Sequence, residues 1–187
     1  MSKLYVIGLI GLAGSGKSTI AKTIAKELGT KIVESNAIRI ALREEGKTYV
    51  DVRGIVSSQT GDFLSKGHSV VVDADHIDAS KRTKLHALAK KYGAELHYVR
   101  VVCDMDTAIG RMAKENYEKG THAFFGSSTV KIREFVRRLP AHYAWSPQGG
   151  GSWKLRKLSF SLATTIDTTD VAKWKETVSG FVKKIQK

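Results

Sequence analysis

The sequence predicts an α/β fold, a five-stranded parallel sheet flanked by helices, and three observations predict it. Short β-rich apolar runs alternate with stretches of helical periodicity, the pattern of parallel strands joined by crossover helices. One run, Val70-Val71-Val72, is apolar at consecutive positions, as a strand buried on both faces requires. A glycine-rich motif, Gly11-Leu12-Ala13-Gly14-Ser15-Gly16-Lys17-Ser18, joins the first apolar run to the first amphipathic stretch.

The first strand is read at Leu4 to Ile10. It turns through the glycine-rich loop into a helix from about Ser18, with Ile20, Ala21, Ile24, Ala25 and Leu28 on one face and Gly29 as the stop. Lys31 to Glu34 reads as the second strand, followed by a helix through Ile38, Ala41 and Leu42. The next helix spans about Val52 to Leu64, carries Ile55, Val56 and Phe63 at compatible spacing, and ends at Lys66-Gly67. Val70 to Val72 is the third strand. A helix from about Ser80 to Tyr92 follows, with Leu85, Leu88, Ala89 and Tyr92 facing the core, Gly93 closing it and Asp78 suited to cap it. Leu96 to Val102 is the fourth strand, and Asp104 caps a helix bearing Ala108, Ile109 and Met112. After Gly120 the pattern weakens, which makes 120–128 a candidate mobile loop. A helix holding Val130, Phe135, Val136 and Leu139 is expected to end before Pro140. Ser146-Pro147-Gln148-Gly149-Gly150-Gly151-Ser152 is turn chemistry, a hairpin or loop and not a domain linker. Phe160 to Ile166 gives the last strand, and Asp170 caps a final helix striped with Val171, Trp174, Val178, Phe181, Val182 and Ile185.

At 187 residues, 42% hydrophobic and 26% charged, the chain is expected to form a single domain, 1–187, around one substantial core. A single cysteine, Cys103, precludes an intramolecular disulfide and reads as a buried, inert thiol suited to a reducing cytoplasm. The apolar run Leu4 to Ala13 is broken by Gly8 and Gly11 and has no cleavage site, so it is not read as a leader. No segment reaches the about 20 apolar residues of a membrane span. Six histidines without paired spacing and one cysteine give no structural metal site. The net charge of +13 is concentrated late in the chain: between Lys119 and Ile166 stand Lys119, Lys131, Arg133, Arg137, Arg138, Lys154, Arg156 and Lys157, against Glu134 alone. They are interleaved with Phe124, Phe125, Tyr143, Trp145 and Trp153, a mixture of cations and stacking rings that suits a single-stranded nucleic acid end.

The glycine-rich motif carries the firmest chemistry. In a strand–loop–helix setting, successive backbone N–H groups and the helix N-terminus wrap phosphates. Gly11, Ala13, Gly14, Ser15, Gly16, Lys17, Ser18 and Thr19 are therefore expected to hold ATP, with Lys17 on the β- and γ-phosphates and the Ser18 hydroxyl on Mg²⁺.

Gly11 to Thr19, Ser35-Asn36-Ala37-Ile38-Arg39, Val72-Asp73-Ala74-Asp75-His76 with Arg82, and Arg111 to Thr121 together resemble the polynucleotide-kinase-like branch of small P-loop kinases, over roughly residues 4 to 145. That resemblance implies the P-loop kinase fold with a helical lid at about 111–128. It places Asn36 where the family has an Asp general base, Arg39 on the acceptor's phosphate, and Asp73 at a strand end beside the metal or Arg39. It also puts Asp75 and Arg82 among the acceptor-binding residues and makes Arg111 the lid cation on the transferring phosphoryl group. Asparagine cannot take a proton, so either Glu34, Asp73 or Asp75 replaces the base or the protein uses its substrate differently. Asn36 equally suits a helix N-cap, and Arg39, Arg82 and Arg111 equally suit charged helix surfaces.

The implied activity is transfer of the ATP γ-phosphate to a hydroxyl, with the 5′-OH of RNA or DNA as the expected acceptor and a single-stranded 5′ end as partner. Two alternatives stand beside it: a small-molecule kinase acting on a metabolite or nucleotide, and a nucleotide-gated nucleic-acid-binding protein whose catalysis is weak because of Asn36.

Overall fold

The computed structural model describes residues 3–114 and 128–187, the side chains of 128–130 excepted. The elements in chain order are β1 (Tyr5–Ile10), α1 (Lys17–Leu28), β2 (Lys31–Glu34), α2 (Ser35–Glu44), α3 (Val52–Ser65), β3 (Val70–Asp73), α4 (Ala79–Lys91), β4 (Glu95–Val102), α5 (Met105–Ala113), α6 (Ser128–His142), β5 (Tyr143–Ser146), β6 (Ser152–Leu155), β7 (Thr164–Asp167) and α7 (Trp174–Ile185). Five strands form one sheet in the order β2-β3-β1-β4-β7, each neighbouring pair parallel. β5 and β6 pair antiparallel around the glycine turn, Trp145 opposite Trp153.

Alternation along β1 divides the core. Tyr5, Ile7 and Leu9 point to the side covered by α1 and α7, where Ile20, Ile24, Val178 and Phe181 are buried with them. Val6 points to the other side, with Val33, Val70 and Val72 under α2, α3 and α4. Each of these fully buried aliphatic chains contributes roughly 1.5–3 kcal/mol, which is why the helical stripes face inward. Gly8 lies between them on β1. A Cβ there would come within 2.9 Å of Leu85 and 3.0 Å of the Tyr98 ring, so its absence lets α4 and β4 close over the strand. A third cluster, Leu12, Cys103, Ala108, Met112, Phe135 and Leu139, packs α5 and α6 beyond the strand ends beside the glycine-rich loop.

Several sequence expectations are corrected. α6 does not stop before Pro140 but runs to His142. The missing N–H removes one bond near the helix end, and the His142 carbonyl is held by the buried Arg100 at 3.0 Å. Val136 is 60% exposed, not core-facing. The last strand is Thr164–Asp167, because Phe160 leaves the sheet to pack edge-on against Tyr98 and beneath the Arg82 guanidinium. Asp170 caps a turn, accepting from the Ala172 N–H, while α7 begins only at Trp174 and Val171 is exposed. Asp104 does cap α5, accepting from the Thr107 N–H at 2.9 Å. Most of the lid expected at about 111–128, including Lys119, Phe124 and Phe125, lies outside the described residues. Among those described, no helix is long and apolar enough to cross a membrane.

Candidate functional site

The glycine-rich loop leaves the C-terminal end of the central strand, where the connections from β1 and β3 diverge to opposite sides of the sheet, the place where open α/β sheets put ligands. Gly14 and Gly16 have φ of 74° and 84°, backbone that strains any residue with a side chain. At Gly11 the obstacle is space, because a Cβ would run into the Val101 carbonyl and the Ser15 hydroxyl. The loop opens on a cavity of about 800 Å³ lined by Gly11, Ala13, Gly14, Gly16, Lys17, Ser18 and Thr19. Ser15 is buried beneath the loop, and its N–H donates to the Leu12 carbonyl at 3.3 Å.

Lys17 is half-buried and donates from Nζ to the Leu12 carbonyl at 2.7 Å. Burial pushes its pKa below that of an ordinary lysine, and the carboxylates of Asp73 and Asp75 oppose the shift. The Ser18 hydroxyl donates to Asp73 Oδ2 at 2.6 Å. A hydroxyl and a buried carboxylate so close are hard oxygen donors of the kind Mg²⁺ takes, so the residues fit that ion. Arg111 also lines the cavity, but its guanidinium donates to the Thr168 carbonyl at 2.6 Å, the Thr168 hydroxyl at 2.9 Å, Cys103 Sγ at 3.3 Å and the Gly14 carbonyl at 3.5 Å. Thr168 in turn donates to the Ser15 carbonyl at 2.8 Å. In this geometry Arg111 braces the loop from behind.

The same cavity continues between α2, α3 and α6, which brings Asn36, Arg39 and Asp73 to the space in front of the loop. Asn36 is exposed and is the second residue of α2, not its N-cap; Glu34 holds the cap position. Arg39 donates to the Ser35 carbonyl and hydroxyl at 3.1 and 3.2 Å. Burial lowers its pKa, the Glu134 carboxylate works against that shift, and the positive charge of Arg53 adds to it. Arg82 stands outside the cavity wall, its guanidinium donating to the His76 and Ile77 carbonyls and lying 3.9 Å from the Phe160 ring.

Asp75 lines the cavity but is tightly engaged. Its Oδ1 accepts from the Gly11 and Ile77 N–H groups, each at 3.3 Å. Its Oδ2 accepts from Arg138 at 2.8 and 3.2 Å and meets His142 Nε2 at 3.0 Å. Burial alone would raise its pKa, yet His142 first, then Arg138 and Lys17, hold the carboxyl well below the usual carboxylate range. Arg138 also grips Asp78 at 3.0 and 3.1 Å. Sequence reasoning missed Arg138 and His142 as parts of this site. Their spacing of four residues on one helix was the available signal. It missed Arg53, Lys81, Lys84 and Glu134 in the cavity wall as well.

A strand, glycine-rich loop and helix opening on a cavity at the carboxyl edge of a β2-β3-β1-β4-β7 parallel sheet define the P-loop kinase fold. Residues 6–137 match the model of the AAA domain family, and the chain belongs to that family. This is broader than the polynucleotide-kinase-like branch suggested by the motifs. Among solved structures the chain is similar to a gluconokinase from Sinorhizobium meliloti, with 19% identity, a TM-score of 0.61 and coverage of 100% of this chain and 95% of that one. It is similar to the Mycobacterium tuberculosis APS kinase in complex with AMPPNP and APS, with 15% identity, a TM-score of 0.60 and all of both chains covered. A sugar kinase from Janibacter sp. covers 97% of this chain and 92% of its own at 14% identity and a TM-score of 0.55. These likenesses show the fold. No curated protein matches the sequence.

Proposed function

We propose that this protein is an ATP-dependent kinase that phosphorylates a hydroxyl on a small anionic molecule. The observation that carries the reading is one cavity of about 800 Å³ in which the phosphate loop faces Arg39, Arg53, Lys81 and Lys84. That volume suits a nucleotide end and a small acceptor. Arg39 and Arg53 sit within each other's field with Glu134 as the stronger opposing charge, and an anionic acceptor adds to that compensation.

Loop N–H groups and Lys17 would bind the β- and γ-phosphates, and Arg111, through Thr168 and Gly14, would keep the loop in shape. Ser18 and Asp73 would hold Mg²⁺, which supplies charge neutralisation at the phosphates. Arg39 and Arg53 would position the acceptor's anionic group, and the Asn36 amide its hydroxyl. Four carboxylates stand in the described cavity wall; Asp73 accepts from Ser18, and Asp75 and Asp78 from Arg138, while Glu134 on α6 pairs with Arg137 nearer the surface and would be the proton acceptor. Its hydrogen bonds to Arg137 hold it below the usual carboxylate range and make it a weak base. A loose phosphoryl-transfer transition state, in which the hydroxyl keeps its proton until late, tolerates that.

The neighbours named for gluconate and for APS support this small-molecule reading over the 5′-OH of RNA or DNA. One observation keeps the nucleic-acid reading second: Trp145 and Trp153 are exposed on the β5–β6 hairpin, beside exposed Lys154 and Lys157. Incubation with γ-labelled ATP, Mg²⁺ and a panel of gluconate, APS, other sugar acids, nucleotides and 5′-OH oligonucleotides should label an anionic small molecule. Label on oligonucleotides alone, or ATP binding with no labelled acceptor, overturns the proposal.

A further inference from the structure

We propose that Asp75 is a positioning residue that ties nucleotide affinity to the docking of α6, with the Arg138 guanidinium as the counter-charge and His142 Nε2 as a second hydrogen-bond partner that make its carboxylate compatible with bound phosphate. The inference rests on the reading above that phosphates occupy the loop. Asp75 stands in the wall of the phosphate cavity, bonded to the first N–H of the loop at Gly11 and close enough to Lys17 to act on its charge. A fixed negative charge there repels an incoming phosphate. It is tolerated because α6 delivers two donors one turn apart, Arg138 and His142, to the same Oδ2.

The attachment is buried. The His142 side chain is 2% exposed, and those of Asp75 and Arg138 are 16% and 18% exposed. The backbone of His142 is fixed from the other side, its carbonyl accepting from Arg100 of β4 and from the Arg156 N–H beyond the hairpin. α6 therefore meets the rest of the molecule at a residue that touches both the sheet and, through Asp75, the loop. When α6 is docked, Asp75 is neutralised and the loop is receptive. When α6 lifts, Asp75 is left facing the phosphates, and by reciprocity a bound nucleotide holds α6 down. Asp75 and its two partners lie 63 and 67 residues apart in sequence, so the coupling exists only in the folded chain.

The signs of substitution effects separate this role from simple structural support. In the full chain, Arg138→Met should weaken Mg²⁺–AMPPNP binding by about tenfold, because it exposes the Asp75 charge to the nucleotide. Asp75→Asn should tighten it several-fold, since the amide still accepts from Gly11 while Arg138 keeps Asp78 as its remaining counter-charge. The double variant should return to within about twofold of the unmodified protein. Calorimetric titration reads the affinities, and hydrogen exchange along α6 should show greater protection once AMPPNP binds. Arg138→Lys, which keeps the charge, should stay near the parent affinity and serves if the methionine variant does not fold. Weaker binding in both single variants with an additive loss in the double would assign Asp75 to scaffolding and overturn the inference. Absence of AMPPNP binding by the unmodified chain would instead overturn the kinase reading on which it rests.

Discussion

At Lys17 the demands of chemistry and of folding separate. Among the described residues its ammonium makes one hydrogen bond, to the Leu12 carbonyl. Removing it costs about 1 kcal/mol of stability, while the loss of a preorganised charge at the phosphates costs roughly 10²-fold or more in turnover. Lys17→Ala should therefore melt close to the parent protein yet lose ATP turnover. A folded variant with retained turnover would remove Lys17 from the site. Asn36 makes the opposite test. It is exposed in the cavity one helical turn before Arg39, where a carboxylate would meet the acceptor and not the nucleotide. With Glu134 weakened by Arg137, Asn36→Asp should raise transfer to the labelled acceptor by about tenfold or more, toward what a positioned base contributes, and leave the ATP dissociation constant unchanged. A rise confined to ATP affinity, or none in turnover, would place the acceptor hydroxyl elsewhere. The loop's place was legible residue by residue because its signal is local: spacing alone puts Gly11, Gly16, Lys17 and Ser18 at the junction of strand and helix, where they line the cavity. The roles of Asp75 and Arg82 were not, since one is decided by Arg138 and His142 across the molecule and the other by Phe160.

At the scale of elements, β1 is the axis of both fold and site, and the glycine within it and the one just beyond it differ in what they tolerate. At Gly8 an added methyl meets side chains, Leu85 and Tyr98, whose ends can shift. Overpacking of that kind costs roughly 1–3 kcal/mol. At Gly11 it meets the Val101 carbonyl, part of the β4 backbone, which cannot yield without moving the loop. Gly8→Ala should thus lower the melting temperature and spare AMPPNP affinity, whereas Gly11→Ala should impair both. Equal affinity losses in the two would show that the loop senses strand packing generally. Elements with a strong local signal, such as the apolar face of α1, the unbroken apolar run of β3 and the capped start of α5, were legible in the sequence to within a residue or two. The misread ends have tertiary causes: Arg100 carries α6 past Pro140, and Arg82 with Tyr98 draws Phe160 out of the last strand.

For the whole molecule the question is what the net charge of +13 is for. Eight cations between Lys119 and Ile166, if all met phosphates of a single strand, would give a log affinity against log salt slope of about −6 at −0.7 per contact. Folding partners several of them instead. Arg138 is held by Asp75 and Asp78, Arg137 by Glu134, and Arg156 donates to the Pro140 and Tyr143 carbonyls. Of the other five, Lys119 lies outside the described residues and Lys131 lines the cavity, which leaves Arg133, Lys154 and Lys157 as exposed cations among the described residues. Three contacts correspond to a slope of about −2. Fluorescence anisotropy with a 3′-labelled, 5′-OH single strand, titrated between about 50 and 200 mM salt, should show weak binding with a slope no steeper than that, flattened further by Lys154→Glu with Lys157→Glu. A slope near −6 would mean that the α6 ion pairs open to receive nucleic acid, and it would restore the 5′-OH of RNA or DNA as the leading acceptor. The exposed pair Trp145 and Trp153 gives that outcome a definite signature: quenching of tryptophan fluorescence as bases stack on the hairpin, absent when the same charge is offered as inorganic polyphosphate.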